Sequence, residues 1–281
     1  TCALLNSQPM GFYAPAQLVR DAQQHGVEVR AVDVNASHWD CTLERAENHA
    51  LALRLGFSRI DGIRKDWADA IVEARLRGTF VSVEDIARRA ALPPQALRKL
   101  ADADAFGSCT QSRRDALWEV RRTPPTQLAL FAFADAPELG QEPAAHLPPM
   151  PLTDEVITDY QTARLSLKGH PMQFLRARLT SEGVLSCADA NVLPDGRKAR
   201  VAGVVLTRQR PGKGNAVFIT IEDETGVVNA LLWSRDLDKQ RRAVMAARLM
   251  LIEGEIQKSK EGVVHLMAKR VIDRTAMLDH L

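Results

Sequence analysis

Apolar positions change their spacing three times along the chain, and each change marks a boundary. Leu18, Val19 and Ala22 fall on one face of a helix that Pro15 can open and Gly26 stops, and residues 27–32 then alternate like a strand. A helix and a strand within 40 residues cannot bury a core alone, so residues 1–40 read as the closing pieces of a larger α/β region. From about 44 to 120 the spacing is helical. Ala68, Ile71, Val72 and Arg75 share a face, Ser82 to Asp85 has the form of a capping box ahead of Ile86, and Pro93-Pro94 open a helix carrying Ala96, Leu97 and Leu100.

Seven of the 14 prolines lie between 123 and 151, which makes that stretch a linker around one apolar island, 127–133. Thr153 is a plausible cap for a following helix, with Asp154 and Glu155 in its first turn. From Lys198 onward the period becomes two, with strands predicted over 199–206, 216–222, 227–233, 248–256 and 263–271. Residues 234–247 are helix-permissive, and five strands with a helix between the third and fourth is the order of an OB-fold barrel. The expected fold class is therefore α+β and multidomain. Its predicted segments are 1–41, a helical domain over 42–119, the linker 120–152, a helical connector 153–194, the barrel 195–275 and a tail 276–281.

Composition changes this picture little. Hydrophobic residues at 46% and charged residues at 26% of 281 suit a globular protein of two or three units, and no apolar run is long enough to cross a bilayer. No membrane partner is expected, and a cytoplasmic location is. Cys2, Cys41, Cys109 and Cys187 stand singly, which fits neither a disulfide framework nor a zinc site. Net charge is only +2, but residues 195–281 hold 16 basic and 11 acidic groups, an excess of +5 that suits either a polyanionic partner or a solvated surface. The start at Thr1, with no cap or start signal, suggests a piece of a longer chain.

Candidate chemistry centres on nucleic acid. OB barrels bind single strands on their second and third strands, flanked by two loops. Here those loops hold Arg208, Arg210 and Lys213, then Lys258 and Lys260, each with glycine beside them. Phe218 has opposite parity to Val217, Ile219 and Ile221. It either stands outward as a base-stacking platform or turns into the core at a bulge, and Trp233 carries the same ambiguity. Residues 60–64 match four of the five positions of a phosphate-binding hairpin between helices, with Gly62 in place and Arg64 where a second glycine belongs. Arg64 and Lys65 can supply charge there, and an ordinary turn is the alternative. No catalytic motif is found, so no catalytic, metal or cofactor residue is expected. The acidic run 222–224 reads as a turn at a strand end rather than a Mg²⁺ site, and His170 before Pro171 as a structural or capping residue.

The segments 5–13, 17–22 and 26–29 closely resemble C-family bacterial DNA polymerases, and 39–44, 165–171 and 218–226 look most like the error-prone branch of that family. The resemblance covers the whole chain in order. It implies that residues 1–41 close the fingers region, 42–119 form a tandem helix-hairpin-helix DNA-binding domain, and 195–275 are an OB-fold domain. It also implies that the polymerase aspartates and their Mg²⁺ ions lie elsewhere in the intact enzyme. Asp104-Ala105-Phe106 would occupy the second hairpin, where related sequences often have glycine before Ala-Phe. The implied partners are primer-template duplex and single-stranded template, an accessory mutagenesis adaptor, and the sliding clamp. For the clamp, Gln127, Leu128, Leu130 and Phe131 resemble a Q-L-x-L-F docking peptide; the alternative is a tether packed on the helical domain. The implied activity is error-prone DNA synthesis in damage-induced mutagenesis and translesion synthesis, with this fragment inactive alone. A non-enzymatic adaptor of the same modules and a tRNA-binding barrel on a synthetase-like enzyme are the competing readings.

Overall fold

The helix expected from Leu18, Val19 and Ala22 forms over Pro15–Gln24 (α2) with those three residues buried, and it follows a short helix, Cys2–Asn6 (α1). The computed structural model describes residues 1–11, 13–46, 50–110, 112–123, 147–212 and 214–281. These divide into two units, Thr1–Lys168 and Gly169–Leu281.

In the first unit only Val29–Arg30 (β1) of the expected strand pairs, running parallel to Leu51–Arg54 (β3), which pairs antiparallel with Thr42–Arg45 (β2). Residues 42–45 and 51–54 are thus two strands where the sequence suggested the start of an all-helical stretch. Strands of four residues show too few positions for a period of two to register. A salt link joins all three: Glu44 accepts from Arg30 Nη1 at 2.7 Å and from Arg54 Nε at 2.8 Å. Leu5, Leu18, Val19, Val32, Val34 and Cys41 are buried in one core with Leu53, Phe57, Ile71, Leu97 and Phe106.

Helices Lys65–Arg75 (α3), Val83–Arg89 (α4), Pro94–Asp102 (α5) and Arg113–Arg122 (α6) follow. Ser82 Oγ accepts from Asp85 N at 3.1 Å, the cap its spacing predicts, and Ser112 does the same for α6 through Asp115 N at 3.2 Å. Helix Leu152–Thr162 (α7) begins after Pro151, so Thr153 lies in its first turn rather than at the cap. It joins this unit through Arg113, whose fully buried guanidinium donates to Glu155 O at 3.0 Å and to the Asp159 carboxylate.

The second unit opens with Pro171–Ser181 (α8) and Cys187–Val192 (α9). His170 caps α8, its Nδ1 accepting from Met172 N at 3.2 Å. Strands Lys198–Gln209 (β4), Ala216–Asp223 (β5), Gly226–Trp233 (β6), Leu249–Lys258 (β7) and Val264–Asp273 (β8) close a barrel in the order β4-β5-β6-β8-β7. Helix Ser234–Ala246 (α10) sits between β6 and β7 in the chain, as the pattern predicts, and drives Val244 into the barrel core beside Ile219, Ala230 and Ile252. Gly203 lets β4 and β5 cross closely, since a Cβ there would lie 2.6 Å from Glu222 O. No helix among the described residues is long and apolar enough to cross a membrane.

Candidate nucleic-acid interface

In the first unit, Ile60 and Ile63 are buried and pin the hairpin, while Gly62 between them takes φ +72°, a left-handed turn that favours glycine. The hairpin delivers the chain into α3, whose N-cap is Arg64 and which carries no side-chain cap, unlike the serine-capped α4 and α6. Residues 64–66 at its start are exposed, and an uncapped helix N-terminus has amides and a dipole that suit a phosphate. The two cations expected here are partly committed. Arg64 holds Asp66 in two bonds of 2.9 and 2.6 Å and stacks 5.2 Å over Trp67, and Lys65 pairs with Asp69 at 2.7 Å. Two cations that sequence reasoning missed complete the site. Lys99 Nζ donates to Asp61 O at 2.9 Å beside Gly62, and Arg164 pairs with the Asp61 carboxylate at 3.0 Å. Their separations from Asp61, 38 and 103 residues, gave no local signal.

The second hairpin is built differently. Asp104 takes the left-handed turn at φ +57°, above buried Ala105 and Phe106. Its carboxylate meets Lys168 Nζ at 2.6 Å and lies 3.8 Å from Arg113. Burial alone would lower the Lys168 pKa, but the hydrogen bonds it donates to Asp104 and Glu155 carry it above the ordinary lysine value. This hairpin therefore presents a carboxylate already bound to the protein's own cations.

On the barrel, Phe218 stands outward, 37% exposed, while Val217, Ile219 and Ile221 fill the core at 6%, 0% and 0%. No bulge falls on β5 at this point; the register shift on β4 lies at Val205/Thr207. Phe218 meets His265 edge-on, ring centres 6.3 Å apart at 67°, and Trp233 is also outward. An exposed aromatic ring on this face can stack a base.

The loop cations divide. The Arg208 guanidinium donates to Val244 O and Ala247 O at the C-terminus of α10. Burial lowers its pKa. Arg210 donates to Gly214 O at 3.1 Å within the first loop, Lys258 N donates to Asp195 at 2.8 Å, and Lys260 is exposed. Lys213 lies outside the described residues, as do Gln127, Leu128, Leu130 and Phe131.

The acidic run is a structural knot. Asp223 accepts from Arg176 at 2.7 Å, from Cys187 N at 2.8 Å and from Thr225 N at 2.8 Å, and Glu224 accepts from Arg176 at 2.6 Å. Oxygens so occupied do not fit a metal site. Burial, and then Asp223, push the Cys187 thiol far up, which leaves it inert.

A hairpin-bearing helical unit and a closed five-stranded barrel with an outward aromatic define a nucleic-acid-binding protein of two modules. The helix-hairpin-helix motif family matches residues 26–116 and the OB-fold nucleic acid binding domain family matches 199–273. The chain is 53% identical over its whole length to an error-prone DNA polymerase of Rhodopseudomonas palustris and 54% identical over 98% of its length to that of Brucella abortus. The chain is thus similar in sequence to error-prone DNA polymerases and spans about a quarter of the length of these relatives, 25% and 26%. Among solved structures, an asparaginyl-tRNA synthetase from Pyrococcus horikoshii aligns with 32% of this chain and 22% of its own at 24% identity and a TM-score of 0.28.

Proposed function

We propose that the chain is the DNA-gripping C-terminal portion of an error-prone DNA-directed DNA polymerase that acts in damage-induced mutagenesis and translesion synthesis. The observation that carries this reading is identity to such polymerases across both modules together, 53% over the full chain. In this reading the first hairpin holds the phosphate backbone of primer-template duplex through Gly62, Arg64 and Lys65. The barrel holds single-stranded template through Phe218, with Arg210, Lys213, Lys258 and Lys260 at its loops. Mg²⁺ and the carboxylates that bind it belong to the intact polymerase outside this chain, and a mutagenesis adaptor and the sliding clamp are its protein partners in the cytoplasm.

The test is paired. The purified 281-residue chain should bind a primer-template duplex with a single-stranded overhang, and should extend no primer with Mg²⁺ and deoxynucleotides. Template-directed extension would place catalysis within the chain and overturn the assignment, and so would absence of DNA binding at low salt.

A further inference from the structure

The outward face of the barrel does not end at Phe218. In the sheet, Phe218 lies opposite Leu231, and Leu231 lies opposite Met267 on β8, so three partly exposed side chains form a row across β5, β6 and β8. The row spans two strand spacings, about 10 Å. Along β8 the outward positions are His265, which meets Phe218, then Met267, then Lys269, about 13 Å from first to last at roughly 3.3 Å per residue. Lys269 is the edge of a groove of about 930 Å³ between the second half of β8 and α10.

That groove is cationic and its shape is held. Lys239 and Arg242 enter it from α10, one turn apart, and neither is held in an ion pair among the described residues. Lys269 and Arg270 enter from β8, with side chains 66% and 69% exposed, Lys269 pairing with Glu255 at 3.0 Å and Arg270 lying 3.8 Å from Glu253. Of the two carboxylates in its lining, Asp236 faces Arg235 at 3.5 Å and Asp273 accepts from Thr275 N at 2.8 Å. Gln240 fixes the width: its side chain accepts from Val271 N and donates to Lys269 O at 3.3 Å, so helix and strand cannot drift apart without breaking both bonds.

From this continuity we infer that a single strand stacked on Phe218 crosses β8 and that its next phosphates lie in the groove between β8 and α10, contacted by Lys239, Arg242, Lys269 and Arg270. The inference rests on the barrel being a single-strand-binding surface. It adds a second stretch of track, away from the two loops, and makes affinity depend on strand length.

The experiment uses the full chain and oligothymidylates of about 5 and about 14 nucleotides, within the range one OB fold covers. The wild type should bind the longer strand at least tenfold more tightly. Replacing the four cations with Ala should remove that gain, leave the short strand's affinity within about twofold, and flatten the salt slope for the long strand by up to about four contacts at roughly −0.7 each. Should the fourfold variant fail to fold, Lys239→Ala with Arg242→Ala breaks no recorded ion pair and should remove about half the slope. An unchanged length gain and slope in a folded variant overturn the groove while the barrel reading stands, provided Phe218→Ala still weakens both strands. A wild type that binds neither strand overturns both.

Discussion

Lys168 Nζ lies 2.6 Å from the carboxylate of Asp104, which joins the end of the first unit to the left-handed corner of its second hairpin across 64 residues. Glu155 also accepts from Lys168, and Arg113 stands 3.8 Å from the same Asp104 carboxylate. The corner at Asp104 is thus closed by the protein's own ions and is tied to α7 through Glu155.

Breaking this anchor should cost stability and spare DNA binding. Lys168→Met leaves Asp104 and Glu155 without their ammonium partner at a half-buried site, a loss of about 1–3 kcal/mol. Denaturant unfolding reads the loss, and a cycle with Asp104→Asn should show coupling of about 1 kcal/mol. Additive effects of the two changes would show that the pair does not hold the corner. A drop in duplex affinity with unchanged stability would return the second hairpin to the DNA interface.

The link of Glu44 to Arg30 and Arg54 makes a pH prediction. Hydrogen bonding to Arg54 first, against a burial cost and with Arg30 adding to it, holds the Glu44 carboxyl below its ordinary value of 4.5. A carboxylate whose folded pKa is depressed contributes stability that is complete above the unfolded value and disappears as pH falls through the folded one. Glu44→Gln should therefore be less stable than wild type by about 1 kcal/mol at neutral pH, with the gap closing below about pH 4.5. Urea titrations at several pH values measure it, and a gap independent of pH would show that the sheet owes nothing to this charge.

Phe218 and Ile219 are neighbours with opposite duties, and their variants should separate cleanly. Phe218→Ala removes an outward ring, so stability should change by less than about 1 kcal/mol while single-strand affinity falls by about 1–3 kcal/mol, or five- to 150-fold. Ile219→Ala empties a fully buried position and should cost about 2–5 kcal/mol of stability. Comparable destabilisation by both would place the Phe218 ring in the core.

What the sequence showed and what it hid follow from the range of each interaction. The barrel strands and the parity of Phe218 were legible because alternation is local, and buried Val217, Ile219 and Ile221 repeat it within five residues. The Ser82 cap and the Gly62 turn are local too. The bonds of Arg208 were hidden because its acceptors, Val244 O and Ala247 O, lie 36 and 39 residues further on. Lys99, Arg164 and the Lys168–Asp104 pair were hidden for the same reason. The β2–β3 pair escaped because each strand has four residues and Leu51, Ala52 and Leu53 are apolar in succession, so no alternation marks it.

The proposed clamp contact is tested apart from the folded units. Gln127, Leu128, Leu130 and Phe131 resemble a docking peptide of the kind that binds its partner in extended form. In that form two adjacent apolar side chains, Leu130 and Phe131, can fill one pocket while the Gln127 amide fixes register by hydrogen bonds, and most of the affinity should reside in the pair. A peptide covering residues 123–136 should bind the sliding clamp, and Leu130→Ala with Phe131→Ala should weaken it by at least tenfold. The full chain should show the same ratio. Binding that is absent, or equal for the peptide and its variant, would leave these residues as a tether to the helical unit. The intact polymerase would then need another protein to reach the clamp.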